Sequence, residues 1–208
     1  MTDDQGPLIA TPLIVGIGGT MTLNSSSERV LRQVLTACEA RGARTLLFDG
    51  PALDLPMYGY GTPRTTRSHA LIDGLRAADG VVIASPGYHG TVSGLIKNAL
   101  DYVEDMAKDT RPYFEGRAVG LIAVAAGWQA TGTTLATLRS IVHALRGWPT
   151  PMAVTVNSQL PVFAPDGRIS DGPLAGQLGI LAQQVVGFAR MRALHELADA
   201  SAAADSID

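Results

Sequence analysis

The sequence predicts an α/β fold built on a buried parallel sheet, and three observations carry that expectation. Short, continuous, β-branched runs such as Leu13 to Ile17 and Gly80 to Ala84 read as strands covered on both faces. Between such runs lie stretches of helical periodicity, long enough to serve as right-handed crossovers. The 208 residues are 46% hydrophobic and 17% charged, with mean hydropathy +0.17, so the chain can bury one sizeable core and is not disordered over most of its length.

The elements follow in order. After the strand Leu13 to Ile17, residues Ser25 to Arg41 read as a helix, with apolar positions at Val30, Leu31, Val34, Leu35 and Cys38 and Gly42 just past the end. Arg44 to Phe48 is a second strand, and the Pro/Gly-rich stretch Asp49 to Pro63 is too irregular for regular structure. Thr65 to Ala78 is a second helix, Gly80 to Ala84 a third strand and Ser93 to Met106 a third helix. Ala118 to Ala126 is a fourth strand, Thr133 to Leu145 a helix and Met152 to Val156 a fifth strand. A loop with Pro161, Pro165 and Asp166-Gly167 leads to a last helix, Leu174 to Leu197. We therefore expect one domain over residues 1–197, its core at about 12–160, with a frayed tail at 198–208. No internal repeat is present.

Composition narrows the function. The net charge is −3, so no large surface attracts a polyanion and a nucleic-acid partner is not expected. The lone cysteine, Cys38, excludes an internal disulfide and a Cys-rich zinc site, and its place in an apolar stripe makes it a small core residue. No apolar run reaches the roughly 18 residues of a membrane span, and the acidic start, residues 1–7, lacks the basic region of a signal peptide. A cytoplasmic protein is expected. There are 23 glycines, above the usual share of about 7%, which points to turns where backbone approaches something closely.

Open parallel sheets bind ligands outside the carboxyl ends of their strands, where strand order reverses. After the first strand comes Gly18 to Ser27, in which Thr20, Thr22, Asn24, Ser25, Ser26 and Ser27 offer short donors beside the unpaired amides of a helix start. That combination suits a phosphate, helped by the helix dipole. It is neither a Walker loop nor Gly-x-Gly-x-x-Gly, since Met21 stands where the last glycine would be. A plain helix cap would need only one of those residues.

After the third strand, Pro86-Gly87 and Gly90 hold a turn from which Tyr88 and His89 project, and Ser93 caps the next helix; an ordinary βα loop is the alternative. After the fourth, Gly127, Trp128 and Gln129 open another run of small donors, Ala126 to Thr134. Three such loops at strand ends converge on one cleft, with a phosphate cradle in one and amides and aromatic faces in the others. FMN has the matching shape.

These segments resemble the NADPH-dependent FMN reductase family, flavodoxin-like enzymes that include flavin, quinone, azo-dye and chromate reductases. The resemblance covers Leu13 to Val156 and rests on the Ser/Thr-rich loop, on Leu53 to Tyr58, and above all on Ser85 to Asp101. It implies a flavodoxin-like three-layer sandwich, a five-stranded parallel sheet of order 2-1-3-4-5 with helices on both faces. It further implies that Thr20, Thr22, Asn24, Ser26 and Ser27 hold the FMN phosphate. Pro86, Gly87, Tyr88, His89 and Gly90 would line the isoalloxazine near N5 and O4, with Gly127, Trp128 and Gln129 by the phosphate or the pyrimidine edge. Many members carry an arginine in the first loop; Met21 or Thr22 stands there instead, which favours FMN as an exchanging substrate.

The implied activity is NAD(P)H-dependent reduction of FMN, with NADPH or NADH as donor. Backbone amides from Gly87 to His89 would orient the ring, and no side-chain proton donor is required, so no catalytic residue is named. His89 can be a proton carrier, a surface residue or a subunit contact, and Trp128 a stacking or a packing group. His69, His143 and His195 sit on helices without partners, and Lys97 and Asp101 form an i,i+4 pair. The apolar Met57 to Tyr60 loop favours an interface, and the resemblance implies a homodimer or homotetramer, with a flavin-dependent monooxygenase as a possible recipient of reduced flavin. The alternatives are an FMN-containing quinone, azo or nitro reductase and a non-enzymatic electron carrier, for which −3 is a weak charge.

Overall fold

A computed structural model describes residues 11–205, with side chains up to residue 202. The acidic start and residues 206–208 of the tail lie outside the described residues. The parallel sheet is made of β1 (Leu13–Gly18), β2 (Arg44–Phe48), β3 (Gly80–Tyr88) and β5 (Ala118–Ala125), with β6 (Trp148–Pro149) and β7 (Val154–Asn157) beyond β5. The order is β2-β1-β3-β5, and both β6 and β7 pair with β5. The chain steps from β1 outward to β2, then returns to place β3 on the other side of β1. Strand order reverses there, which opens a crevice above the carboxyl ends of β1 and β3.

Period-2 alternation explains why the strands read as unbroken apolar runs. Val15, Ile17, Val81, Ile83, Val119 and Leu121 face one layer, with α2 (Thr66–Ala77), α3 (Gly94–Asp101) and α4 (Trp128–Ala144). Ile14, Val82, Ala84, Ile122 and Val124 face the other, with α1 (Ser26–Glu39) and α5 (Gly172–Asp205). Cys38 is fully buried in that second layer.

Seven strands stand where five are expected, without changing the expected order. The additions have local causes. β3 runs on through Pro86 and Gly87 to Tyr88 and folds back as β4 (Thr91–Val92), an antiparallel hairpin. Its two turn residues, His89 (φ 52°) and Gly90 (φ 87°), both take the left-handed conformation that tight hairpins favour. The expected fifth strand, Met152 to Val156, is β7, running from Val154 to Asn157, and a separate short β6 precedes it, the two kept apart because Pro149 and Pro151 have no N–H to give the ladder. Between them the Met152 N–H is diverted to Gln184 Oε1 at 2.8 Å.

Helix limits differ by more than two residues at three places. α3 ends at Asp101 and tightens into a 3-10 turn, Tyr102–Met106. α4 begins at Trp128, not Thr133, so Trp128 and Gln129 form its first turn. Thr131, which reads as a loop donor, instead back-bonds within the helix, to Trp128 O at 2.8 Å. α5 continues to Asp205, past Leu197. Among the described residues, no helix is long and apolar enough to cross a membrane.

Candidate functional site

The first loop leaves β1 and folds on itself before α1 begins. Thr20 Oγ1 accepts the Thr22 N–H at 3.0 Å, and Asn24 takes a left-handed φ of 57°. Ser25 caps α1 by accepting the Glu28 N–H at 3.3 Å, and its hydroxyl lies 3.3 Å from that of Ser27. The cap takes the Glu28 amide, while the Ser26 and Ser27 amides at the start of α1 have no intrahelical acceptor and remain available to an anion. The loop also rests on the turn after β2. A Cβ on Gly50 would fall 1.7 Å from Thr20 O, so only glycine lets the two backbones meet.

The hairpin of β3 and β4 is fixed from below. Ser85, fully buried, donates from Oγ to Pro86 O at 2.9 Å and accepts the Ser93 N–H at 3.1 Å. Thr134 on α4 donates to Thr91 O at 3.3 Å. The segment Pro86 to Tyr88 is therefore a held ledge rather than a free loop.

Three adjoining hollows line the carboxyl ends of β1, β3 and β5. One, of about 330 Å³, brings Thr20 and Ser25 to Ser27 together with Pro86 to Tyr88, Val124 to Ala126 and Ser158. A second, of about 290 Å³, joins Thr20 to Thr22 with Pro86, Tyr88 and Ser93 to Leu95. A third, of about 370 Å³, lies between Gly90 and the start of α4 at Gly127, Gln129, Ala130 and Thr133. No lysine, arginine, aspartate or glutamate lines any of the three.

Thr20, Ser26, Ser27, Pro86, Gly87 and Tyr88 thus share one hollow, with Thr22 in the next, and Gly90, Gly127 and Gln129 share the third. Asn24 and His89 are exposed on the rims and line none of them. Trp128, 58% exposed, lines a separate hollow of about 200 Å³ with Asn157, Leu160 and Leu174. Sequence reasoning passes over Ser158, which follows the last strand and donates its N–H to Ala125 O at 2.9 Å. The signal was there to find: a serine just after the fifth strand.

The Pro/Gly-rich stretch after β2, expected to be wholly irregular, opens with a 3-10 turn, Gly50–Leu53, and the rest is irregular but pinned. Buried Asn98 accepts the Tyr58 N–H at 2.8 Å and donates to Leu55 O and Pro56 O. Arg64 grips Asp105 with two bonds, 2.6 Å and 2.8 Å, and the Tyr58 hydroxyl donates to the same carboxylate at 3.3 Å. The Arg64 hydrogen bonds hold the Asp105 carboxyl below the ordinary carboxylate range, while burial pushes the Tyr58 hydroxyl up. Met57 and Tyr60 are left 77% and 87% exposed at the tip of this braced stretch.

The donor set fits FMN. Hydroxyls and free helix amides suit a phosphate, and a ledge of proline and glycine backbone beside Tyr88 suits a flat ring.

Comparisons agree with this geometry. The chain is 31% identical over 114 residues to the FMN-dependent NADPH-azoreductase of Staphylococcus aureus (strain USA300); the match covers 54% of this chain and 57% of that protein. The chain thus spans little more than half the length of the curated relatives it matches. FerB, a flavoenzyme NAD(P)H:(acceptor) oxidoreductase from Paracoccus denitrificans, superposes with a TM-score of 0.70 at 18% identity, over 87% of this chain and 98% of that one. The apo form of an NADH:FMN oxidoreductase (EMOB) superposes at 0.66 and 20% identity, over 87% and 89%. These two likenesses establish the flavodoxin-like fold. Residues 12–160, which contain all three loops, match the NADPH-dependent FMN reductase family, and the chain belongs to that family.

Proposed function

We propose that this chain is an NAD(P)H-dependent FMN reductase that takes FMN as an exchanging substrate and releases it reduced. One observation carries the reading: in a member of this family, the loops after β1, β3 and β5 converge on a cleft with hydroxyl and amide donors at one end and a braced backbone ledge beside it. Thr20, Thr22, Ser26 and Ser27 hold the phosphate, while Asn24, exposed and outside the hollows, shapes the loop through its left-handed backbone. Pro86, Gly87, Tyr88 and Gly90 line the ring, and Gly127 and Gln129 the pyrimidine or phosphate edge, with exposed His89 and Trp128 in its separate hollow left outside the set. Bound FMN supplies hydride acceptance and its onward donation. The protein binds, orients the ring through amides of the ledge, and keeps water from one face of it. No side chain need move a proton.

NADPH, or NADH, is the donor in this reading. Met57 and Tyr60, exposed at the tip of the braced stretch after β2, support a homodimer or homotetramer. A cytoplasmic location fits the single buried thiol, and a flavin-dependent monooxygenase would consume the product. The azoreductase relatives favour a second reading, an FMN-containing reductase of azo, quinone or nitro compounds.

The visible spectrum of the purified protein, then NADPH or NADH oxidation with and without added FMN, separates the readings. Colourless protein whose oxidation rises with FMN supports the flavin reductase. Yellow protein that keeps its flavin and passes electrons only to a dye or quinone supports the second reading. Neither colour nor oxidation refutes both.

A further inference from the structure

We infer that Glu28 is a positioning residue for the FMN phosphate, a latch that holds the first loop in its anion-binding shape; the inference rests on the FMN reading above. Glu28 is the third residue of α1 and only 3% exposed. A glutamate at that position ordinarily reaches back to the N-cap amide. Here it reaches one residue further: Oε2 accepts the N–H of Asn24 at 3.0 Å, outside the helix. That residue is the one held at a left-handed φ of 57°. The second oxygen, Oε1, accepts from Arg32 Nε at 2.9 Å, and Arg32 Nη2 donates to Asp49 at 3.0 Å, at the turn after β2. The latch therefore ties the loop to the same turn whose Gly50 abuts Thr20 O.

A carboxylate beside an anion site lowers affinity through its charge, and Arg32 offsets that charge only in part. Its value lies in geometry. The loop has no lysine or arginine, so the phosphate depends on hydroxyls and amides, whose bonds weaken steeply with misalignment. With no cation to compensate, the direction in which Thr20 to Asn24 leave the helix sets the affinity. Glu28 fixes that direction by its reach, not by its charge.

Two conservative variants separate reach from charge. Glu28→Asp keeps the charge, and the helix-start preference for an acid, but is one methylene too short for Asn24. Glu28→Gln keeps the reach and an oxygen acceptor but loses the charge. Dissociation constants of each for FMN and for riboflavin, which lacks the phosphate, are read by flavin fluorescence. Glu28→Asp should bind FMN about tenfold more weakly, the size of one lost hydrogen bond to a charged group, with riboflavin affinity changed by less than about twofold. Glu28→Gln should bind FMN as well as the wild type or better. Equal loss for both flavins in Glu28→Asp, no loss in it, or loss in Glu28→Gln as deep as in Glu28→Asp overturns the latch. A wild type that does not prefer FMN to riboflavin overturns the phosphate reading itself and the latch with it. A wild type that does, beside an unaffected Glu28→Asp, overturns the latch alone.

Discussion

Thr134 Oγ1 occupies the space that a side chain at residue 87 would need: a Cβ built on Gly87 falls 2.6 Å from it. The same Cβ would meet Ala125 Cβ at 3.2 Å and Ala130 O at 3.3 Å, so the ledge cannot slide to make room. Thr134 is fully buried and donates to Thr91 O, so it locks both strands of the hairpin to α4. Gly87→Ala should lower FMN affinity at least about tenfold and cost about 1–3 kcal/mol of stability, the range for overpacking. In a double-mutant cycle, Thr134→Ala should cost less in the Gly87→Ala background than alone, because it removes the nearest clash. Additive losses in urea unfolding would show that the contact is slack.

The hairpin turn gives a second test. His89 and Gly90 are both left-handed, at φ 52° and 87°. Asparagine visits that region readily and a β-branched residue does not. His89→Asn should therefore leave stability within about 0.5 kcal/mol, whereas His89→Val should cost about 1–2 kcal/mol. Thermal unfolding of the two variants reads the difference directly. Equal melting temperatures would mean that the turn is not formed in solution.

Much of this was legible because the sheet is buried on both faces. Val81, Val82 and Ile83 cannot alternate with polar residues when helices cover both sides, so the run announces a central strand. The start of α1 was legible too, since Ser25 to Ser27 are small polar residues and Ser25 caps the helix. Less visible were features set by tertiary contact. The extension of β3 to Tyr88 depends on Ser85 and Thr134 bracing a Pro-Gly pair that locally signals a loop. The early start of α4 was hidden because Gly127 to Gly132 reads as a loop of small donors, and the place of Trp128 in a separate hollow follows from that start. Nothing in the sequence singles out Glu28; only the fold reveals that it reaches Asn24.

The Arg64–Asp105 pair predicts a dependence on acid. The Arg64 hydrogen bonds lower the Asp105 carboxyl from its ordinary value of 3.8, so the folded state binds a proton less readily than the unfolded chain. Stability from this pair is then fully present above that ordinary value and is lost as pH falls below it, through the lowered folded value. Asp105→Asn should destabilise by about 1–2 kcal/mol at neutral pH, and its unfolding curve should converge on the wild type's in strong acid. Because the pair braces the stretch that carries Met57 and Tyr60, the variant should also weaken any self-association seen in sedimentation. A constant gap at all pH values would show that the asparagine costs packing and not charge.

Cys38 predicts the opposite limb. Its side chain is fully buried between α1 and the sheet, and burial pushes the thiol from 9.0 up to about 12. The folded state therefore keeps its proton where the unfolded chain has lost it. Stability from this group is intact below pH 9.0 and falls as pH rises from there towards about 12, at about 1.4 kcal/mol per unit. A thiolate is also the reactive form, so thiol reagents should find Cys38 inert at neutral pH until the protein unfolds. Cys38→Ala should cost about 1 kcal/mol near neutrality through the lost sulfur contacts, yet flatten the alkaline limb of the stability curve. The wild type and the variant should cross as pH climbs. Parallel alkaline limbs, or rapid labelling of the native protein, would place the thiol in water and the α1 packing elsewhere.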